Sequence, residues 1–186
     1  MKKVNRVEEY CQTIFNSLGA NVHNWGKPEY TRPLTRLFYV GVFDCGNPYP
    51  TGLISENALN NKSNNQKTVL DHYLSPQFIG RMILDNQEIY LKNYSKFREL
   101  FIKCTQTIIV TQKENFDLSN LTSNKKDDFS IKIPTNLKYN HLGIKLYKRD
   151  TNIKGWDKKD FTILETNLLN DVPVELLDYE KDFLVI

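Results

Sequence analysis

Asp71 and His72 stand side by side at the end of the segment Lys67 to Pro76, directly after the apolar pair Val69 and Leu70. A carboxylate next to an imidazole is a pair that can hydrolyse a phosphodiester with one divalent cation. The imidazole, with an ordinary pKa of about 6.5, can take a proton from water at neutral pH, which makes His72 the candidate general base. A hard cation asks for oxygen donors, a carboxylate and often an amide carbonyl, with the other positions left to water and phosphate. Asp71 and Asn115 are the candidate ligands, and Mg²⁺ or Mn²⁺ the candidate ion.

These residues need elements to hold them. Val69 and Leu70 read as a short strand. Neighbouring strand side chains point to opposite faces, so Asp71 and His72 share a site only if the strand ends or bends there, and Ser75-Pro76 supplies a reason for the bend. Thr107 to Val110 reads as a second strand. Thr111-Gln112-Lys113-Glu114 then has capping-box spacing, with the Thr111 hydroxyl accepting from the amide of Glu114 and the Glu114 carboxylate reaching back. That spacing predicts a helix start and puts Asn115 in its first turn.

Asp71-His72 with Pro76 after it, Asn86 within Leu84-Asp85-Asn86, and a capped helix carrying Asn115 resemble the HNH nucleases of the His-Me finger (ββα-metal) superfamily, in particular its small phage and homing-type members. The resemblance covers roughly residues 67 to 120. It implies Asp71 and Asn115 as metal ligands, His72 as the base and Asn86 as the residue that steadies the loop holding His72. Asn93 competes with Asn86 for that role, and Asn120 with Asn115. The fold it implies is α+β, with a ββα-metal unit embedded in a mixed domain. Double-stranded DNA is the implied partner, Mg²⁺ or Mn²⁺ the implied cofactor, and a homodimer stays open. The setting would be the cytoplasm of a bacterium or of a phage-infected host cell. The alternatives are a restriction-type HNH nuclease, a non-catalytic nucleic-acid-binding protein and a protein-protein adaptor.

Composition bounds these readings without choosing among them. The 186 residues, 40% hydrophobic and 12% aromatic, suffice for a packed core, and the net charge of +3 permits a polyanion partner without requiring one. Basic residues crowd the stretch from Lys125 to Lys159. Lys138, Lys145, Lys148 and Arg149 there, with Lys67 beside the Asp-His pair, are the candidate DNA contacts. After residue 164 the sign reverses, with Glu165, Asp171, Glu175, Asp178, Glu180 and Asp182 against Lys181 alone. Cys11, Cys45 and Cys104 are widely spaced and never form Cys-x-x-Cys, which excludes a zinc-stapled version of the fold and suits a reducing compartment. No apolar run follows Lys2 and Lys3, and no stretch has membrane-spanning length, so the expectation is a soluble protein with no membrane partner. The chain has no phosphate-cradling glycine loop and no Gly-x-Ser-x-Gly elbow.

The segments divide as 1–66 (N-terminal helix, strand and loops), 67–122 (catalytic core) and 123–186 (basic strip and acidic C-terminal cover), expected to form one compact whole. Val4, Val7, Cys11, Ile14, Phe15 and Leu18 have the spacing of an amphipathic helix that stops at Gly19. Residues 20–35 read as a loop in which Trp25 caps the core and His23 faces solvent. Arg36 to Phe43, aromatic and β-branched, reads as a buried strand. The asparagine-rich run from Asn57 to Gln66 reads as a mobile surface loop. Phe78 to Ile83 and Ile89 to Cys104 have helical spacing, Phe129 to Ile133 and Phe161 to Leu164 read as strands, Gly155-Trp156 as a turn, and Val172 to Ile186 as a return to the core.

Overall fold

The computed structural model describes residues 2–46, 51–125, 128–149, 161–164 and 169–185. The helices in chain order are α1 (Lys2–Asn21), α2 (Pro28–Asp44), α3 (Glu56–Ser63), α4 (Pro76–Asp85), α5 (Gln87–Tyr90), α6 (Tyr94–Thr105), α7 (Gln112–Ser119), α8 (Lys138–His141) and α9 (Val174–Glu180). The strands are β1 (Leu53–Ser55), β2 (Val69–His72), β3 (Thr107–Val110), β4 (Thr122–Lys125), β5 (Asp128–Ile131), β6 (Leu146–Arg149) and β7 (Phe161–Ile163). The fold is α+β. Its contacts separate two units, one of Met1–Tyr49 with His72–Gln106, the other of Pro50–Asp71 with Thr107–Ile186. The expected turn at Gly155-Trp156 and the lysines at 126, 154, 158 and 159 lie outside the described residues.

The first unit is helical, with α1, α2, α4 and α6 packed on one another. Its centre is aromatic. The Phe38 ring meets Phe97 and Phe101 edge to face at 5.8 and 5.6 Å, and Phe15 meets Phe97 at 5.3 Å, the geometry that the ring quadrupole favours. Glycines set the helix spacing. A Cβ on Gly80 of α4 would lie 3.2 Å from the Phe38 Cβ, and one on Gly41 of α2 would lie 2.5 Å from Ile14 Cγ1. Ile14 is buried and its branch is held at χ1, so it cannot swing away. Gly41→Ala would gain about 1 kcal/mol in helix propensity. Overpacking costs about 1–3 kcal/mol, and we expect it to win. A lowered melting temperature is the expected result, and a raised one would show that the helices part without cost.

Two expectations fail in this unit. Arg36 to Phe43 is helix, not strand, because α2 begins at Pro28 and runs through it. Its buried residues Leu34, Phe38, Gly41 and Val42 recur at helical spacing, which outweighs the β-preference of single residues. The loop expected over 20–35 is shorter, since α1 continues past Gly19 to Asn21 and Pro28 occupies the first turn of α2, where its missing N–H costs nothing. Trp25 is half-buried and donates its indole N–H to Asp85 at 2.9 Å, while His23 is exposed as expected. The helical run over residues 89–104 is divided, with Asn93 capping α6 through the amide of Lys96.

The second unit holds a five-stranded sheet in the order β2-β3-β1-β6-β7 and a separate β4-β5 ribbon. β1 runs parallel to β3, with Ile54 opposite Ile109, and antiparallel to β6, with Ile54 opposite Tyr147. Ile54, Ala58, Leu59, Tyr147 and Phe161 form a core cluster under α3. The asparagine-rich loop is a further correction, because residues 56–63 are the helix α3. Ser55 starts it by accepting from the Ala58 amide at 3.1 Å, and Ala58 and Leu59 are buried at the i, i+1 positions of its inner face. Polar composition hid a helix with only one narrow apolar stripe. The strands expected at Thr107 to Val110 and Phe161 to Leu164 are present, and the capping box at Thr111 is complete.

Glu180, buried at the end of α9, accepts from the backbone N–H of Thr135 at 2.9 Å and from its hydroxyl. Burial raises its pKa above the ordinary 4.5, with the Thr135 hydrogen bonds opposing that rise. The folded chain therefore keeps a proton that the unfolded chain gives up. This contribution to stability is full below about 4.5 and is lost as pH rises through the raised value. Glu180→Gln should flatten that part of a urea-stability profile, and an unchanged slope would assign it to another group.

Candidate functional site

Asp71 and His72 are consecutive, yet the boundary between the units falls between them, so each has its own surroundings. They close β2, whose Leu70 is exposed while Asp71 and His72 are half-buried.

His72 is oriented by α6. Its Nδ1 lies 2.9 Å from the carbonyl oxygen of Cys104, in the last turn of that helix, where carbonyls have no partner within the helix. A carbonyl can only accept, so Nδ1 carries the proton and Nε2 carries the lone pair in the neutral ring. This is the tautomer a general base needs, and it is set by a backbone atom. The turn is closed by two more bonds, Thr105 Oγ1 to the Ile102 carbonyl at 2.7 Å and Gln106 N to the Lys103 carbonyl at 3.2 Å. Cys104 is fully buried, and desolvation holds its thiol well above the usual range, so it remains a neutral apolar group.

Asp71 is held by α8. Lys138 Nζ lies 2.7 Å from its Oδ2, and the Tyr139 hydroxyl donates to the same oxygen. The pair is largely out of water, with the Asp71 side chain 16% exposed and that of Lys138 13%, and Tyr139 is fully buried. Arranged in this way, Asp71 does not fit a divalent cation. An ammonium already neutralises the carboxylate, and a second cation on the same group would meet it at close range in a partly desolvated place. Among the described residues, no three or more His, Cys, Asp or Glu side chains gather as a metal site would.

Asn115 sits half-buried in the first turn of α7, its amide bonded to the Thr111 carbonyl at 3.0 Å. Beside it, Glu114 is almost wholly buried. Its carboxylate accepts from Ser55 Oγ at 2.6 Å, Asn57 Nδ2 at 3.0 Å, Thr111 N at 2.8 Å and Thr111 Oγ1 at 2.9 Å. The parallel strands β1 and β3 each feed a helix, and Glu114 ties the two helix starts together. The positive ends of α3 and α7 help to compensate its charge.

Asn86 terminates its own helix, α4, donating from Nδ2 to the Met82 carbonyl at 3.0 Å. Asn93 caps α6, and Asn120 closes α7. Among the candidate DNA contacts, Lys67, Lys145 and Lys148 are exposed and Arg149 is half-buried. Lys138 stands apart from them, because its ammonium is already committed to Asp71.

Sequence reasoning missed Lys138 and Tyr139 as partners of Asp71, and no local signal could have found a contact spanning more than sixty residues. It also missed the links from Ser55 and Asn57 to Glu114. There a signal existed, since Ser55 followed by Glu56 is a helix-start pattern. No family model matches the chain, and no curated protein or solved structure is significantly similar to it.

Proposed function

We propose that the chain hydrolyses phosphodiester bonds in DNA, with His72 as the general base. The observation that carries this reading is the bond from His72 Nδ1 to the Cys104 carbonyl, which leaves Nε2 as the basic nitrogen. Water attacks phosphorus, its proton passes to Nε2, and the bond from phosphorus to the 3′ oxygen breaks, the 3′ oxygen leaving as a hydroxyl with a proton taken from solvent. β2 and β3 are neighbours in the sheet although α4, α5 and α6 lie between them in the chain, and α7, which carries Asn115, follows β3. Exposed Lys67, Lys145 and Lys148 are suited to phosphate contacts, which position a duplex without reading its sequence.

Incubation of supercoiled plasmid with the purified protein tests the proposal. Nicking is the expected result, and comparing Mg²⁺, Mn²⁺ and EDTA shows whether an ion takes part, since Asp71 as paired with Lys138 does not hold one. Intact plasmid under every condition would overturn it.

The Asp71–Lys138 ion pair favours a second reading, a nucleic-acid-binding protein without the chemistry. That reading predicts a gel shift that weakens steeply with salt and no cleavage in either ion.

A further inference from the structure

α2 turns Leu34, Phe38, Gly41 and Val42 into the core of the helical unit. Its opposite face carries Arg32, Arg36, Val40 and Phe43, all exposed, and their helical spacing sets them in one row about 16 Å long. The other arginines of this unit are occupied. Arg81 lies 3.7 Å from Asp85, Arg98 clamps Glu8 through Nε at 2.8 and 2.9 Å, and Arg6 reaches the Tyr10 hydroxyl at 3.3 Å. The guanidinium groups of Arg32 and Arg36 have no hydrogen bond or ion pair among the described residues, although Glu29 stands in the first turn of the same face. At the far end of the row Phe43 is 61% exposed and stacks on Tyr39, with ring centroids 6.0 Å apart. Basic residues outnumber acidic ones in this unit, so the face is turned toward an anionic partner.

We infer that the outer face of α2 binds single-stranded DNA, with Arg32 and Arg36 on its phosphates and the Phe43 ring, backed by Tyr39, stacked on a base. This takes DNA as the partner from the nuclease reading and adds a contact in the helical unit, where sequence reasoning placed none. Two free guanidinium groups one helical turn apart suit successive phosphates, because the planar fork bonds phosphate oxygens in pairs. An exposed aromatic ring suits an unpaired base, whose face a duplex hides. Both needs are met together by a single strand. An acidic peptide would satisfy the arginines and leave Phe43 without a base to cover it. An anionic bilayer asks for a continuous apolar face, and that of α2 is spent on Leu34, Phe38 and Val42 in the core. Stacking tolerates every base, so the row holds a strand without reading its sequence.

Fluorescence anisotropy of a labelled mixed-sequence oligonucleotide, alone or annealed to its complement, tests this with the full chain in EDTA. The positions are exposed, and circular dichroism checks that each variant is folded. The natural chain should prefer the single strand. Arg32→Ala combined with Arg36→Ala should weaken that binding about 10-fold and lower the slope of log K against log salt by about 1.4, the share of two phosphates. Phe43→Ala should weaken single-strand binding about 5-fold or more and leave duplex binding unchanged, and Phe43→Trp should restore it. Unchanged single-strand binding in the double arginine variant would overturn the assignment. So would an equal loss for strand and duplex in Phe43→Ala. Loss of phosphatidylserine-vesicle binding or of self-association in Phe43→Ala, with strand binding intact, would give the face to a bilayer or to a second copy instead. If the row fails while the natural chain nicks plasmid, the nuclease reading stands. No binding of either form of DNA by the natural chain would overturn the two together.

Discussion

His72→Ala is expected to lower the rate of plasmid nicking by about 10²–10⁴-fold, the usual contribution of a positioned general base. The structural reading of the same residue has to be separated from this, because the ring also satisfies the Cys104 carbonyl at the end of α6. Removing that donor costs about 1 kcal/mol of stability, too little to unfold a domain of ordinary stability. His72→Asn makes the distinction. An asparagine Nδ2 can take the place of the imidazole Nδ1 and keep the bond to Cys104, while offering no basic nitrogen. Both variants should stay folded and both should lose cleavage. Normal nicking by His72→Asn would reduce His72 to a helix cap and end its assignment as the base.

The largest expected loss of stability comes from Glu114→Ala, about 3 kcal/mol by urea denaturation. Glu114 is 7% exposed, and its carboxylate gathers four hydrogen bonds from three residues. The substitution strands the Ser55 hydroxyl and the Thr111 N–H, each of which costs about 1–3 kcal/mol when buried without a partner, while the exposed Asn57 amide can turn to water. Part of that is recovered because the carboxylate itself no longer has to be desolvated. The effect should reach beyond α7, since Ser55 also caps α3 by accepting from the Ala58 amide. Glu114→Gln keeps the volume but turns an NH₂ toward a donor, so an intermediate loss is expected. A change below about 1 kcal/mol for Glu114→Ala would mean that water replaces the carboxylate, and the link between the two helix starts would then carry little stability.

Where a structural signal was local, it was legible. The Thr111 to Glu114 capping box, the strand before it and the helical spacing of Phe78 to Ile83 depend on residues within one or two turns of each other. Arg36 to Phe43 misled because its composition favours a strand while its burial repeats at helical spacing, and the repeat follows from what α1, α4 and α6 offer as partners. Asn57 to Gln66 misled in the opposite sense. Two buried residues on α3, Ala58 and Leu59, are enough to hold a helix against β1 and β3, and so small an apolar stripe does not stand out among asparagines.

The order of residues alone determined that an acid and an imidazole sit together at the close of a strand, and that a capped helix follows a later strand, because those features need only neighbours in the chain. The tertiary structure decided what each group does there. It aimed His72 through a carbonyl 32 positions away, gave the charge of Asp71 to Lys138 67 positions away, and buried Glu114 between two helix starts. Proton placement, ion pairing and desolvation are set by atoms a few ångströms off in space, and the chain brings those atoms together only when it folds.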